Sequence, residues 1–298
     1  MKYCKSPLSI DDQVQLLESR GLVINNIAAA KSILSNISYY RLRAYTYPFQ
    51  NNTDPTHPFV KNISFDEIIE IYSFDSKLRT LIFDKIEKIE ISIRTQIIYL
   101  WSLNHGSHWQ SNISLYRNSY KANALLSNLQ SEIDRKSEIF ITHYKNKYTV
   151  PTEPPSWMSL EVSSFGLLSQ IFLQLKKGNE KWLLTKTFGL NDIGIMENWM
   201  LCLCNVRNIC AHHGRLWNRR LTAVSKFPSN PRNNIANLSG VLPYKPYAVF
   251  VIIRYLLNVI NPNNQFNVEL MNVVDSCNLI SEKEMGFPKN WQTESFWR

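Results

Sequence analysis

The sequence predicts an all-α fold, on three observations. Its 9 Gly and 13 Pro are few for 298 residues, and they cluster between long periodic segments. Within those segments apolar residues recur every three to four positions, the period of a helix and not of a strand. Ser, Asn and Gly stand at the segment ends, where they cap helices.

The elements follow in order. Ser9 caps a first helix to Arg20, with Asp11 and Asp12 in its first turn and Ile10, Val14 and Leu17 on its apolar side; Gly21 stops it. A second helix covers residues 26–34. The stretch Tyr39-Tyr40-Arg41-Leu42-Arg43-Ala44-Tyr45-Thr46-Tyr47-Pro48-Phe49 is aromatic and basic, and Pro48 ends any regular element there. Ser64 caps a long helix to about Leu103. Its apolar face runs from Ile68 and Ile71 through Ile82, Ile86, Ile89, Ile93 and Ile97, and Asp84, Lys85, Glu87 and Lys88 form the opposite face. Residues 116–148 read as one or two helices, and Pro151, Pro154 and Pro155 break the chain. Ser159 to Leu175 reads as a shorter helix, followed by Glu180 to Phe188, which Gly189 ends. The next helix runs to His213, with Gly214 as its stop. Residues 227–246, with four prolines, form an ordered loop. Tyr247 to Asn261 is a strong helix and Glu269 to Leu279 a weaker one. The tail from Asn290 to Trp297 is aromatic and docked. The chain divides into an N-terminal helical, aromatic-basic region (1–60), a helical core with an insertion (61–262) and the docked tail (263–298).

Composition narrows the function. A hydrophobic share of 44% is globular, while 19% charged residues is low and implies surface covered by a partner. The net charge of +9 favours an anionic partner, nucleic acid ahead of a membrane surface. The opening Met1 to Pro7 is polar and shows no secretory signal. The apolar run from Tyr247 to Ile260 is interrupted by Arg254 and Asn258, too short and polar to span a bilayer. Cys4, Cys202, Cys204, Cys210 and Cys277 are an odd set without zinc spacing, expected to be reduced thiols of a cytoplasmic protein. His105 and His108, beside Trp109, lack a Cys or carboxylate near in sequence and read as loop residues. No metal and no cofactor are expected. No Gly-rich phosphate loop or Gly-X-Ser-X-Gly elbow occurs.

The chemistry concentrates after Trp199. From Met200 to Ala211 the helix is nearly all apolar, yet Asn205, Asn208, His212, Arg215 and Arg219 step by three and four along one stripe, with Arg207 beside it. Burying such groups without partners would cost several kcal/mol. One account pairs Arg207 with a carboxylate such as Glu87 or Glu90 and makes His212 a satisfied core histidine. The other is chemical. RNA is cut without a metal when its 2′-OH attacks the adjacent phosphorus, which needs a base, an acid and a cation on the phosphate. His supplies the first two and Arg the third, with Asn orienting. Arg215, Arg219 and Arg220 downstream add charge for a polyanion. One histidine hardly fills both proton-transfer roles, so two copies meeting across a dimer is the natural solution.

Arg-Asn-X-X-Ala-His-His-X-Arg-Leu-Trp-Asn-Arg, residues Arg207 to Arg219, resembles the signature of the Abi family of abortive-infection proteins, AbiD/AbiF type. Within it, Arg-Asn-X3-His is similar to the Arg-X4–6-His motif of HEPN ribonucleases. Asn36 to Phe49, Glu87-Lys88-Ile89-Glu90 with Arg94-Thr95-Gln96, and Pro155-Ser156-Trp157-Met158 with Glu161 and Ser164-Phe165-Gly166 resemble further blocks of the family. The resemblance spans roughly residues 7–260. It implies a HEPN-like helical bundle with additional N-terminal helices and a helical insertion, a homodimer with paired motifs, and a toxin of phage defence restrained by a partner such as a noncoding RNA. It makes Arg207 and His212 catalytic and Asn208 supporting. His213 gives an equally legal spacing; His212 is favoured because it shares a face with Asn205 and Asn208.

Two further groups are candidates. Glu90 and Arg94 sit among apolar neighbours, as a support for Arg207 or His212 or as an intrahelical ion pair on a solvated face. Tyr40, Arg41 and Arg43, with Tyr39 and Tyr45, interleave aromatic and basic groups able to stack bases and hold phosphates, or to pack as core and interface. Against the nuclease stand a non-catalytic RNA-binding protein with the same polar stripe, and a DNA-binding regulator, for which no helix-turn-helix is found.

Overall fold

The computed structural model describes Lys2 and residues 6–298; Met1, Tyr3, Cys4 and Lys5, part of the opening segment read above, lie outside them. The described residues form α-helices and no strand: α1 (Ile10–Ser19), α2 (Ile27–Asn36), α3 (Tyr39–Thr46), α4 (Phe65–His105), α5 (Ser119–Arg135), α6 (Ile139–Lys147), α7 (Ser156–Ser159), α8 (Phe165–Gln174), α9 (Asn179–Thr187), α10 (Ile193–Ala211), α11 (Pro246–Ile260), α12 (Phe266–Val274) and α13 (Glu282–Met285). The expected all-α class is what the chain adopts. No helix among the described residues is long and apolar enough to cross a membrane.

The axis of the fold is α4, 41 residues and about 60 Å long. Its start is closed by a capping box. Ser64 Oγ accepts from the Glu67 N–H at 3.2 Å, and Glu67 Oε2 accepts from the Ser64 N–H at 2.7 Å. Its end is Gly106, at φ +85°. Ile68, Ile71, Leu78, Ile82, Ile86, Ile89, Ile93 and Ile97 are wholly buried along it. Helices α3, α8, α9, α10, α11 and α12 pack around this rod. One expectation fails on it. Lys85 does not lie on a solvated face with Asp84, because α12 covers that side and brings Glu269 into an ion pair with Lys85.

Helix α11 is the second buried element: every residue from Pro246 to Leu257 is buried, Arg254 included. That cation is matched by Asn264 Oδ1 at 2.9 Å and Asn267 Oδ1 at 3.0 Å, both from the loop and helix that follow. The aromatic tail docks here, as its composition predicts. Trp291 and Trp297 are wholly buried, and Trp297 Nε1 donates to the Tyr247 hydroxyl at 3.0 Å.

The helix expected over Ser159 to Leu175 begins only at Phe165, and Ser159 instead ends the short α7. Residues 160–164 leave the helical path, and Ser164 caps α8 by accepting from the Leu167 N–H. Two side chains hold this segment, Glu132 on α5, which accepts the Ser164 N–H at 2.6 Å, and Arg94 on α4. Arg94 Nη1 draws in the carbonyls of Leu160, Glu161 (3.4 Å) and Ser163 (2.8 Å), so those groups bond a cation where helical amides would otherwise take them.

Candidate active site

Two elements frame the site, the middle of α4 and the C-terminal end of α10, which pack together. On α10, Met196, Trp199, Met200, Cys202, Leu203, Cys204, Val206 and Cys210 are buried, and Leu201, Asn208 and His212 face solvent. The helix is therefore not buried on every side. It carries an exposed strip, and Leu201, 46% exposed, belongs to it.

The helix ends two residues earlier than its pattern suggests. His212 is the capping residue and His213 takes φ +56°, the left-handed position where glycine is usual. The Gly214 N–H returns to the Ile209 carbonyl at 2.8 Å and the His213 N–H to the Cys210 carbonyl at 3.0 Å, which closes the last turn. The stripe expected to continue through Arg215 and Arg219 thus stops at His212. Past the cap the chain turns inward. Arg215 Nη1 donates to the Ala44 carbonyl of α3, and Arg219 Nη1 donates to the Arg215 carbonyl at 3.0 Å. Burial pulls the Arg215 guanidinium below its usual range, an effect that Asp75 opposes.

Asp75 holds this turn in place, and sequence reasoning passed it over. It is wholly buried on α4. Its carboxylate accepts the backbone N–H groups of Leu216 at 3.0 Å and Trp217 at 2.6 Å, the Tyr45 hydroxyl at 2.6 Å, and Arg79. Burial and the adjacent Asp75 push the Tyr45 phenol far above its usual range. Burial opposes the Arg79 charge, but Asp75 and Tyr45 together outweigh it and hold the guanidinium above its usual range. The signal was present: Asp75 and Arg79 are charged residues four apart inside the apolar face of α4, flanked by Phe74, Leu78 and Ile82.

Glu90 faces two arginines. Arg94 Nη2 donates to its Oε1 at 2.6 Å, and Arg94 also satisfies the three carbonyls named above and Ser163 Oγ at 3.1 Å. Arg94 is buried, and both of its terminal nitrogens are bonded. Arg207 approaches the other oxygen of Glu90 only to 3.8 Å, from Nε, and its side chain is 32% exposed. Arg207 Nη1 donates to Asn208 Oδ1 at 3.3 Å, and its guanidinium lies 5.7 Å from the Phe83 ring centroid. Glu90, Arg94, Arg207 and Asn208 therefore form one connected group, with most of the donors of Arg207 left to the exterior.

His212 and His213 are exposed, and neither ring takes a hydrogen bond among the described residues. His213 lines a groove of about 420 Å³ against Asp84, Glu87, Phe83 and Arg79 of α4. Helix α3 is bound to the same turn in both directions: Arg41 Nη1 donates to the His213 carbonyl at 2.9 Å, and Arg215 donates back to α3. Of the aromatic-basic segment, Tyr45 is buried, Tyr39 accepts from Arg20 at 2.6 Å, Tyr40 is 82% exposed, and Arg43 Nη2 lies 3.3 Å from His57 Nε2. Arg220 lies over the Tyr244 ring at 4.0 Å.

The remaining candidates are structural in their contacts. His105 pairs with Glu180 at 3.1 Å, and His108 Nε2 lies 3.1 Å from the Glu153 carbonyl. Among the described residues no group of three or more His, Cys, Asp or Glu is arranged to hold a metal ion. Burial pushes the thiols of Cys202 and Cys210 up to about 11 and about 12, values that suit small core residues and not nucleophiles.

Comparison with known proteins gives one match. The family described as Abi-like protein matches residues 32–218, more than half of the chain, and the match ends just past the turn that follows α10. No curated protein and no solved structure matches the chain.

Proposed function

The chain belongs to the Abi-like protein family, and from that premise we propose that it is a metal-independent RNA endonuclease of the HEPN type, a toxin component of abortive-infection defence against phage. One observation carries the reading. Of the two arginines at Glu90, Arg94 is buried with both terminal nitrogens bonded, and Arg207 is half-exposed with most of its donors open, five residues before an exposed histidine.

In this reading Arg207 grips the non-bridging oxygens of the scissile phosphate through its planar fork, and Asn208 orients the phosphate. His212 accepts the proton of the 2′-OH. The 2′ oxygen bonds to phosphorus as the bond to the 5′ oxygen breaks, and that oxygen leaves with a proton from a second imidazole. The products are a 2′,3′-cyclic phosphate and a 5′-OH. The second imidazole is the same histidine of a second copy, so the active form is a homodimer with two Arg207/His212 pairs on one substrate. His213 is the weaker choice, because its backbone serves the cap and its side chain faces the α4 groove. A net charge of +9 fits control by a partner RNA. A cytoplasmic site of action belongs to the same reading, as does membership of the AbiD/AbiF type.

A non-catalytic RNA-binding role is favoured by one feature. Among the described residues no hydrogen bond fixes the tautomer of His212. Purified wild type, Arg207→Ala and His212→Ala, incubated with labelled RNA in EDTA, separate the two. Cleavage by wild type leaving cyclic phosphate ends, with a loss of about a hundredfold or more in each variant and RNA binding retained in His212→Ala, supports the nuclease. Equal cleavage by all three, or none by wild type freed of bound RNA, removes it.

A further inference from the structure

Four residues of the aromatic-basic segment fall on one face of about two turns of chain. Tyr40, Arg43, Ala44 and Tyr47 are spaced by three, four and seven, and together with Arg215 they line an open cleft of about 260 Å³. The opposite face, Leu42, Tyr45, Thr46 and Phe49, is buried. Tyr40 is 82% exposed and Tyr47 49% exposed, and neither hydroxyl is hydrogen-bonded among the described residues. The core does not require these two rings. They stand on the order of 10 Å apart along the helix axis, and Ala44 keeps the floor between them low. Each of the two arginines retains unbonded N–H groups: the Arg43 guanidinium makes one hydrogen bond, to His57, and that of Arg215 makes two, to the carbonyls of Ala44 and Asn218, with the Trp217 ring centroid 5.7 Å away.

We propose that this cleft is a subsite for one unpaired nucleotide of single-stranded RNA, its base stacked on Tyr40 or between Tyr40 and Tyr47 and its phosphate held by Arg43 and Arg215. The proposal rests on the ribonuclease reading for its substrate class. Position supports it. Arg215 belongs both to the cleft and to the turn carrying His212 and His213, and Arg41 ties the same helix to the His213 carbonyl. A strand entering the histidine site therefore has an aromatic, cationic platform one turn of chain away. Stacking tolerates any base, because every base has a flat face, and it demands that the base be unstacked from its neighbours. The subsite thus selects single strands over duplex and does not by itself select sequence.

The test uses a single-stranded RNA oligonucleotide that is fully 2′-O-methylated, so that it cannot be cut, with 2-aminopurine at internal positions. Binding to wild type, Tyr40→Ala, Tyr40→Phe, Tyr47→Ala and Arg43→Gln is followed by anisotropy and by 2-aminopurine fluorescence. Tyr40→Ala weakens single-strand binding about tenfold or more and abolishes the fluorescence change, while Tyr40→Phe stays within about twofold of wild type. Binding of the matching duplex and of heparin is the same in wild type and both Tyr40 variants. Wild-type affinity for the single strand in Tyr40→Ala and Tyr47→Ala, an equal loss on duplex and heparin, or no binding by wild type overturns the subsite. Cleavage of unmodified RNA is read separately. A Tyr40-dependent single-strand site without any cleavage leaves the subsite standing and removes the nuclease, and cleavage indifferent to Tyr40 does the reverse.

Discussion

His213 occupies a backbone conformation that side chains resist, by roughly 1–2 kcal/mol relative to glycine, at the turn where the proposed catalytic residues are set. Both cap hydrogen bonds run through backbone N–H groups, so His213→Gly keeps them. Stability should rise by about 1 kcal/mol, read as a later urea midpoint, and RNA cleavage should persist. Loss of cleavage in this variant while His212→Ala still cuts would move the catalytic role to His213. At this scale the sequence was informative where neighbours along the chain decide. Glu90 and Arg94 stood out by the apolar residues around them, and they meet Arg207. Arg215 was misplaced because its partner, the Ala44 carbonyl, lies 171 residues away and no local pattern reports it.

At the scale of the element, the departure from helical periodicity between α7 and α8 is held from α5 by Glu132, which accepts the Ser164 N–H and hydroxyl, and from α4 by Arg94. Its guanidinium holds the carbonyls of Leu160, Glu161 and Ser163 and the Glu90 carboxylate at once. Arg94→Met should leave these buried acceptors without a partner and destabilise the protein by about 3–5 kcal/mol, measured by denaturant unfolding with the slope unchanged. Glu90→Gln, which keeps the carbonyl contacts, should cost clearly less; equal losses would mean that the ion pair and not the carbonyl cluster holds the break. Apolar spacing made nearly every helix legible, including the whole of α4. It could not show this break, because Leu160, Val162 and Phe165 are buried whether or not the backbone between them is helical. The left-handed end of α10 was hidden for a related reason: the usual signal, a glycine, sits one residue later, at Gly214.

For the whole molecule, the match to the Abi-like family covers residues 32–218, yet part of the core comes from beyond it. Trp297 packs edge-on against Trp291 and Phe296, and beside Tyr247 on α11, which in turn packs on α4 and α10. Trp297→Ala should cost about 3–5 kcal/mol and lower the melting temperature in calorimetry, although the residue is far in sequence from the Arg207 to His212 segment. An unchanged melting temperature would show the tail to be an appendage. The docking was legible from composition alone, because three aromatic residues within seven positions, Trp291, Phe296 and Trp297, leave water by packing on the core.

The hold of Asp75 on Leu216 and Trp217 has a consequence for chain length. Four residues, His212 to Arg215, connect the end of α10 to those two backbone amides, and both ends of the span are fixed on the same rod. Loops between helices commonly drift in length as sequences diverge, but this one has no slack to take up. A residue added or lost here would either unwind the left-handed cap or pull the amides off the buried carboxylate. Side chains around the turn can change without moving these anchors, but the number of peptide units between them cannot.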